Sequence, residues 1–112
     1  MIASHLDRHF QIWEFKVSHG SLLIRSPKSP SQESNIDLIF VGVDYIAVPR
    51  QMDGLELHIA SPSEWSPIVH SLQVKSDSRV FSLVSHGYRH VVVAAACEVV
   101  THQADIFDSP FA

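Results

Sequence analysis

From Val91 to Val100 the chain reads Val-Val-Val-Ala-Ala-Ala-Cys-Glu-Val-Val, with Glu98 the one charged residue. Successive side chains of a strand point to opposite faces. A stretch that is apolar at both parities needs cover on both faces, so it belongs at the centre of a fold. Its unbroken apolar part, Val91 to Cys97, is seven residues long, whereas a membrane-spanning helix needs about 20. The alanines leave room for close approach, most simply by a helix. The segment predicts a central strand in a sheet-based domain.

Other segments repeat the strand signal with one wet face. Trp13, Phe15 and Val17 alternate with Glu14 and Lys16. Ser18-His19-Gly20-Ser21 follows and then Leu22-Leu23-Ile24-Arg25, which reads as a hairpin turning near Gly20. Ile36, Leu38 and Phe40 alternate around Asp37, and Val43, Tyr45 and Ala47 around Asp44. Gly42 between them marks either a bulge in one strand or a junction of two short ones, and Pro49 ends the run. Asp53-Gly54 reads as a tight turn, after which Leu55, Leu57 and Ile59 alternate with Glu56 and His58. Residues 79–84 and 88–101 form a second hairpin through Ser85-His86-Gly87.

One segment reads as a helix. Ser61-Pro62-Ser63-Glu64 is a helix-start pattern, and Trp65, Ile68, Val69 and Leu72 follow at helical spacing. The expected fold is α+β: a mostly antiparallel curved sheet or partly open barrel of about six or seven strands, with one short helix around 61–72. Residues 1–9 read as a turn, a frayed end or a lead into the first strand. Residues 26–35, rich in Ser and Pro, read as a solvated, mobile loop. The tail from Asp105 reads as frayed. Val17-Ser18-His19-Gly20 and Val84-Ser85-His86-Gly87 match, but turns select such residues independently.

The chain has 112 residues, enough for a single domain, 1–112, and too few for two. One cysteine excludes an internal disulfide and fits a reducing compartment. With no basic segment leading into an apolar one at the N-terminus, the expected location is cytoplasmic. The formal charge is −4. The eight Lys and Arg residues are scattered, which argues against nucleic acid as a partner. Charged residues are 18% of the chain, below the roughly 25% usual for globular domains. Sixteen serines cover part of the difference; a buried self-association face is the reading favoured here.

Eight histidines (5, 9, 19, 58, 70, 86, 90 and 102) are the compositional anomaly. Histidine is the commonest metal ligand and an acid–base group near neutral pH. His5 and His9, and His86 and His90, are each four apart. The first pair lacks the Glu of a zinc-protease motif, and the second falls on a turn and a strand. Turn and surface roles are the expectation, and no metal ligand is assigned. Protonating all eight takes the charge from −4 to about +4, through zero near the isoelectric point of about 6.0, where solubility is lowest.

Cys97 lies among alanines and valines, which raise a thiol pKa when a nucleophile needs it lowered. The chain has no Gly-x-Ser-x-Gly elbow and no Gly-rich phosphate loop. Asp37, Asp44, Asp53 and Glu56 belong to the strand–turn–strand region, most simply as the wet face of a sheet. Trp13 and Trp65 read as anchors for the first strand and the helix rather than pocket walls. No catalytic, cofactor-binding or metal residue is assigned, and no cofactor is expected.

Leu22-Leu23-Ile24-Arg25-Ser26, Asn35 through Val43, and Val93-Ala94-Ala95-Ala96-Cys97-Glu98-Val99 resemble core patterns of small uncharacterised bacterial domains of unknown function. Some β-rich domains of this look resemble immunity proteins of bacterial toxin systems. The resemblance covers about half the chain and transfers no functional residue. The expected function is a non-enzymatic interaction domain that binds a protein partner, one form being a homodimer. A small-molecule- or metal-binding β-barrel is the alternative, and an enzyme of unfamiliar type comes last. Neither nucleic acid nor membrane is an expected partner.

Overall fold

The computed structural model describes residues 1–60 and 78–111. Their strands are β1 (Ala3–Lys16), β2 (Ser21–Ser26), β3 (Asn35–Val41), β4 (Tyr45–Ala47), β5 (Gln51–Ile59), β6 (Arg79–Ser85), β7 (Tyr88–Ala94) and β8 (Ala96–His102). A 3-10 turn at Val17–His19 is the one helical piece among the described residues. The α+β expectation is therefore corrected: the described residues are all β. The described residues hold eight strands rather than about six or seven, because two long apolar stretches each bend and divide, one at Gly42 and one at Ala95. The helix expected at 61–72 lies outside the described residues, as do Trp65 and His70.

All pairings are antiparallel, in the order β4-β7-β6-β5-β1-β2-β3-β8. The chain itself joins the two ends of that order. β3 runs into β4 through Gly42, Val43 and Asp44, and β7 into β8 through Ala95. Since β3 pairs with β8 and β4 with β7, the two bent ribbons run side by side. Across the bend Asp44 donates its N–H to Val93 O at 2.8 Å, and Ala95 donates to Val41 O at 3.0 Å. The sheet thus curls back around a common core. Gly42 makes the crossing possible: its φ is +63°, and a Cβ there would lie 2.9 Å from the Cβ of Ala95.

The core is filled by Phe10, Leu22, Ile24, Leu38, Phe40, Met52, Leu55, Leu57, Phe81, Leu83, Val92 and Ala94, with Phe40 edge-on to Phe81 at 5.6 Å. Val91 and Val93 point the other way, into a smaller cluster with Ala60, Val80 and Tyr45. The stretch 91–94 is thus buried on both faces, while Ala95 and Ala96 are exposed.

Three local expectations change, and of the three readings of residues 1–9 the lead into the first strand is the one that agrees with the structure. β1 begins at Ala3, so residues 3–9 are strand, held by pairing with β5. Asp53-Gly54 is not a turn but part of β5. The ladder slips there, three residues of β1 (Leu6 to Arg8) facing Gly54 alone. This bulge resets the alternation, so Met52 and Leu55, three apart, both enter the core. Gly54 has φ +76°, and a Cβ would meet Leu6 O at 2.9 Å. The Pro/Ser-rich loop is tethered by Arg8, which donates to Ser26 Oγ at 2.9 Å, Ser26 O at 3.0 Å and Ser34 O at 2.7 Å. The tail folds over the outer face of the sheet: Lys28 and Asn35 donate to Gln103 O and Ala104 O, and Lys16 to Phe111 O.

Candidate functional site

The densest chemistry lies where β2, β3 and β8 run side by side beneath the tail. Arg25 on β2 and Asp37 on β3 face each other in the ladder. Arg25 donates from Nε to Asp37 Oδ1 at 2.7 Å and from Nη2 to Oδ2 at 2.9 Å. Its Nη1 donates to Ile106 O at 2.7 Å and Asp108 O at 2.9 Å. The guanidinium also lies 5.6 Å from the Trp13 ring centroid. Both charged side chains are 1% exposed. Burial on this scale is tolerable because the planar fork fits the carboxylate at two points and the tail carbonyls take the remaining protons.

His102, the last residue of β8, completes the group. Its Nε2 bonds Asp37 Oδ2 at 2.7 Å, and its Nδ1 accepts the Ala104 N–H at 3.3 Å. That pair of bonds corresponds to the neutral tautomer protonated at Nε2. A cavity of about 230 Å³ adjoins the group, walled by Ile39, Val100, His102, Ala104, Ser109 and Pro110 among others. Asp37, His102 and Ser109 are all present there, yet they do not form a relay. Ser109 donates its hydroxyl to Glu14 Oε1 at 2.6 Å and accepts from Phe111 N. Both histidine nitrogens are engaged, as Nε2 donates and Nδ1 accepts. The geometry is that of a structural clamp, fixing the end of β8 and the departure of the tail.

β8 itself is the second feature. Among the described residues it pairs with β3 alone. Cys97, Val99 and Thr101 lie opposite Phe40, Leu38 and Ile36 and share their inner face; Glu98, Val100 and His102 lie on the outer face. β4 likewise has one neighbour, but it is three residues long and Pro49 follows closely. Short length and a nearby proline blunt an edge. The seven residues of β8 include neither proline nor lysine.

The residues singled out from sequence go to different places. His5 and His9 lie on a strand with the bulge between them; His5 packs against Phe10, and His9 bonds Asp53. His86 sits in the β6–β7 turn with φ +51°, and His90 on β7 opposite Leu83. Among the described residues no group of three or more His, Cys, Asp or Glu side chains could hold a metal ion. Asp37, Asp44, Asp53 and Glu56 do not converge: Asp44 accepts from Ser78, Asp53 bonds His9, and Glu56 lies opposite Ser4. Asp37 is buried instead of lying on a wet face. Trp13 occupies the bulge in β1 and touches Phe107. Burial and the adjacent Glu98 push the Cys97 thiol up to about 12. Sequence reasoning missed the Arg25–Asp37–His102 group. Its available signal was one charge placed inside each of two successive apolar strands.

No family model, curated protein or solved structure matches the chain. Among the described residues no helix is long and apolar enough to cross a membrane.

Proposed function

We propose that this chain is a protein-interaction domain that binds its partner by strand addition along the edge of β8 that no described strand pairs. The observation that carries the reading is a seven-residue strand that, among the described residues, pairs on one side only and contains neither proline nor lysine. An incoming strand would take up the unused backbone groups, and exposed side chains at alternate positions would select it. The clamp supports this role. Asp37 fixes His102, and Asn35 and Lys28 draw the chain off the edge at Gln103 and Ala104. β8 is thereby rigid before it meets a partner, which lowers the ordering cost of binding.

The alternative, a ligand-holding barrel, has less to support it. Side chains occupy the interior. The cavities with described walls measure about 130 to 300 Å³, at or under the lower end of the roughly 300–1,000 Å³ of small-molecule sites.

The test is a comparative pull-down with wild type and with Ala96→Lys/Thr101→Lys, which places two lysines on exposed positions of the edge. The two proteins should melt together. Wild type should retain a partner that the variant loses, with amide protection on binding confined to β8. Identical bound proteins from both would refute the strand-addition reading.

A further inference from the structure

Five of the six prolines follow a serine: Pro27, Pro30, Pro62, Pro67 and Pro110. Serine is sixteen of 112 residues, so chance alone gives about one such pair. Proline holds the residue before it in extended backbone, a shape that presents a hydroxyl to an enzyme that modifies it. The five serines differ in what surrounds them. Ser61 and Ser66 lie outside the described residues. Ser26 is 2% exposed, and its Oγ accepts from Arg8. The Ser109 hydroxyl donates to the Glu14 carboxylate, which would repel a second anion. Among the three that are described, Ser29 alone is exposed and shares a cavity wall with cations.

We propose that Ser29 is a phosphorylation site whose phosphate is held by Arg8 and Lys28. Ser29 opens a tight turn, in which its N–H donates to Gln32 O at 2.9 Å and the Gln32 N–H donates to Ser29 O at 3.0 Å. Its hydroxyl lies 3.2 Å from that of Ser31, a further donor for a phosphate. A cavity of about 300 Å³ adjoins the turn, lined by Arg8, Lys28, Asp7 and His9. In the step, Ser29 Oγ bonds to the terminal phosphorus of a nucleoside triphosphate and the bond to the bridging oxygen breaks. The nucleoside diphosphate leaves, and the hydroxyl proton passes to a base of the transferring enzyme. A phosphoserine carries about −1.5 to −2 charge at pH 7 and three strong acceptor oxygens. In the unmodified chain Arg8 Nη1 donates to Gln32 Oε1 at 3.2 Å, and Lys28 Nζ to Gln103 O at 2.8 Å. Both acceptors are neutral, and an anion is the stronger acceptor for each cation. Modification thus ties the loop to β1 and draws Lys28 off the start of the tail. The site is separate from the β8 edge and stands or falls without it.

The test treats the folded full chain with ATP and a serine/threonine kinase that requires proline after its acceptor, and maps the product by mass spectrometry. Ser29 should carry a phosphoryl group that Ser29→Ala loses, and Ser26 should carry none. A chain left unmodified at Ser29 would overturn the site. Phosphorus NMR then follows the titration of the phosphoserine. Its second ionisation should fall about half a unit below the usual value of about 6, and should move back toward that value in Lys28→Gln. That variant keeps the Arg8 bonds to Ser26 and Ser34, which hold the loop. A phosphoserine that titrates at the usual value in both proteins would overturn the role of Arg8 and Lys28.

Discussion

At the residue scale the most consequential placement is a guanidinium and a carboxylate, each 1% exposed, in the middle of a β-sheet. Removing one member leaves the other charge buried, which typically costs about 3–5 kcal/mol. Asp37→Leu or Arg25→Met should each lower the unfolding free energy, read from urea titration, by that order. The double variant should cost less than the sum, since no orphan charge remains; a strictly additive cycle would show the pair to be uncoupled. Cys97 makes a second prediction. Its thiol pKa is raised from 9.0 to about 12, so the unfolded chain ionises first as pH rises. The stability is full below about 9 and is lost between about 9 and 12, by about 1.4 kcal/mol per pH unit. Between pH 8 and about 10.5 wild type should lose about 2 kcal/mol more than Cys97→Ala. Equal losses would contradict the burial of the thiol. Of these residues, Cys97's apolar setting was legible from its neighbours. Asp37 was not, because the same alternation describes a wet face and a face covered later by the tail.

At the scale of elements, bends and bulges carry the architecture. Gly42→Ala forces a positive φ on a Cβ that meets Ala95, and should cost about 1–3 kcal/mol. Ala95→Gly should relieve the clash but not the backbone strain, restoring only part of it. Complete rescue would mean that sterics alone select glycine there. The tail is the other element to test. Ending the chain at Ala104 removes the Ile106 and Asp108 carbonyls from Arg25. Hydrogen bonds to charged groups contribute about 1.5–3 kcal/mol each, so the shortened chain should melt well below the full one. An unchanged melting temperature would show that water replaces the tail without loss. Both hairpins were legible, since turn residues flanked by alternating runs specify them locally. Asp53-Gly54 misled because a turn and a bulge ask the same of glycine; the partner strand decides, and it is far away in sequence. The tail was illegible for a similar reason, its anchors being backbone carbonyls that take partners from any residue.

At the scale of the whole molecule, the apolar run at 91–100 announced a central strand, and its first half is one, buried on both faces. Its second half crosses a bend and, among the described residues, pairs on one side only. No local pattern marks that change, because a bend moves a strand from the middle of a sheet to its margin without altering its composition. The strand-addition proposal places the partner at this margin. Amide hydrogen exchange across β8, measured on the purified chain alone and with the partner it captures, is the direct test. The outward-facing half of the β8 amides should exchange quickly in the free chain and become protected in the complex, while β2 and β3 stay unchanged. β8 exchange that is the same with and without the bound partner would contradict it.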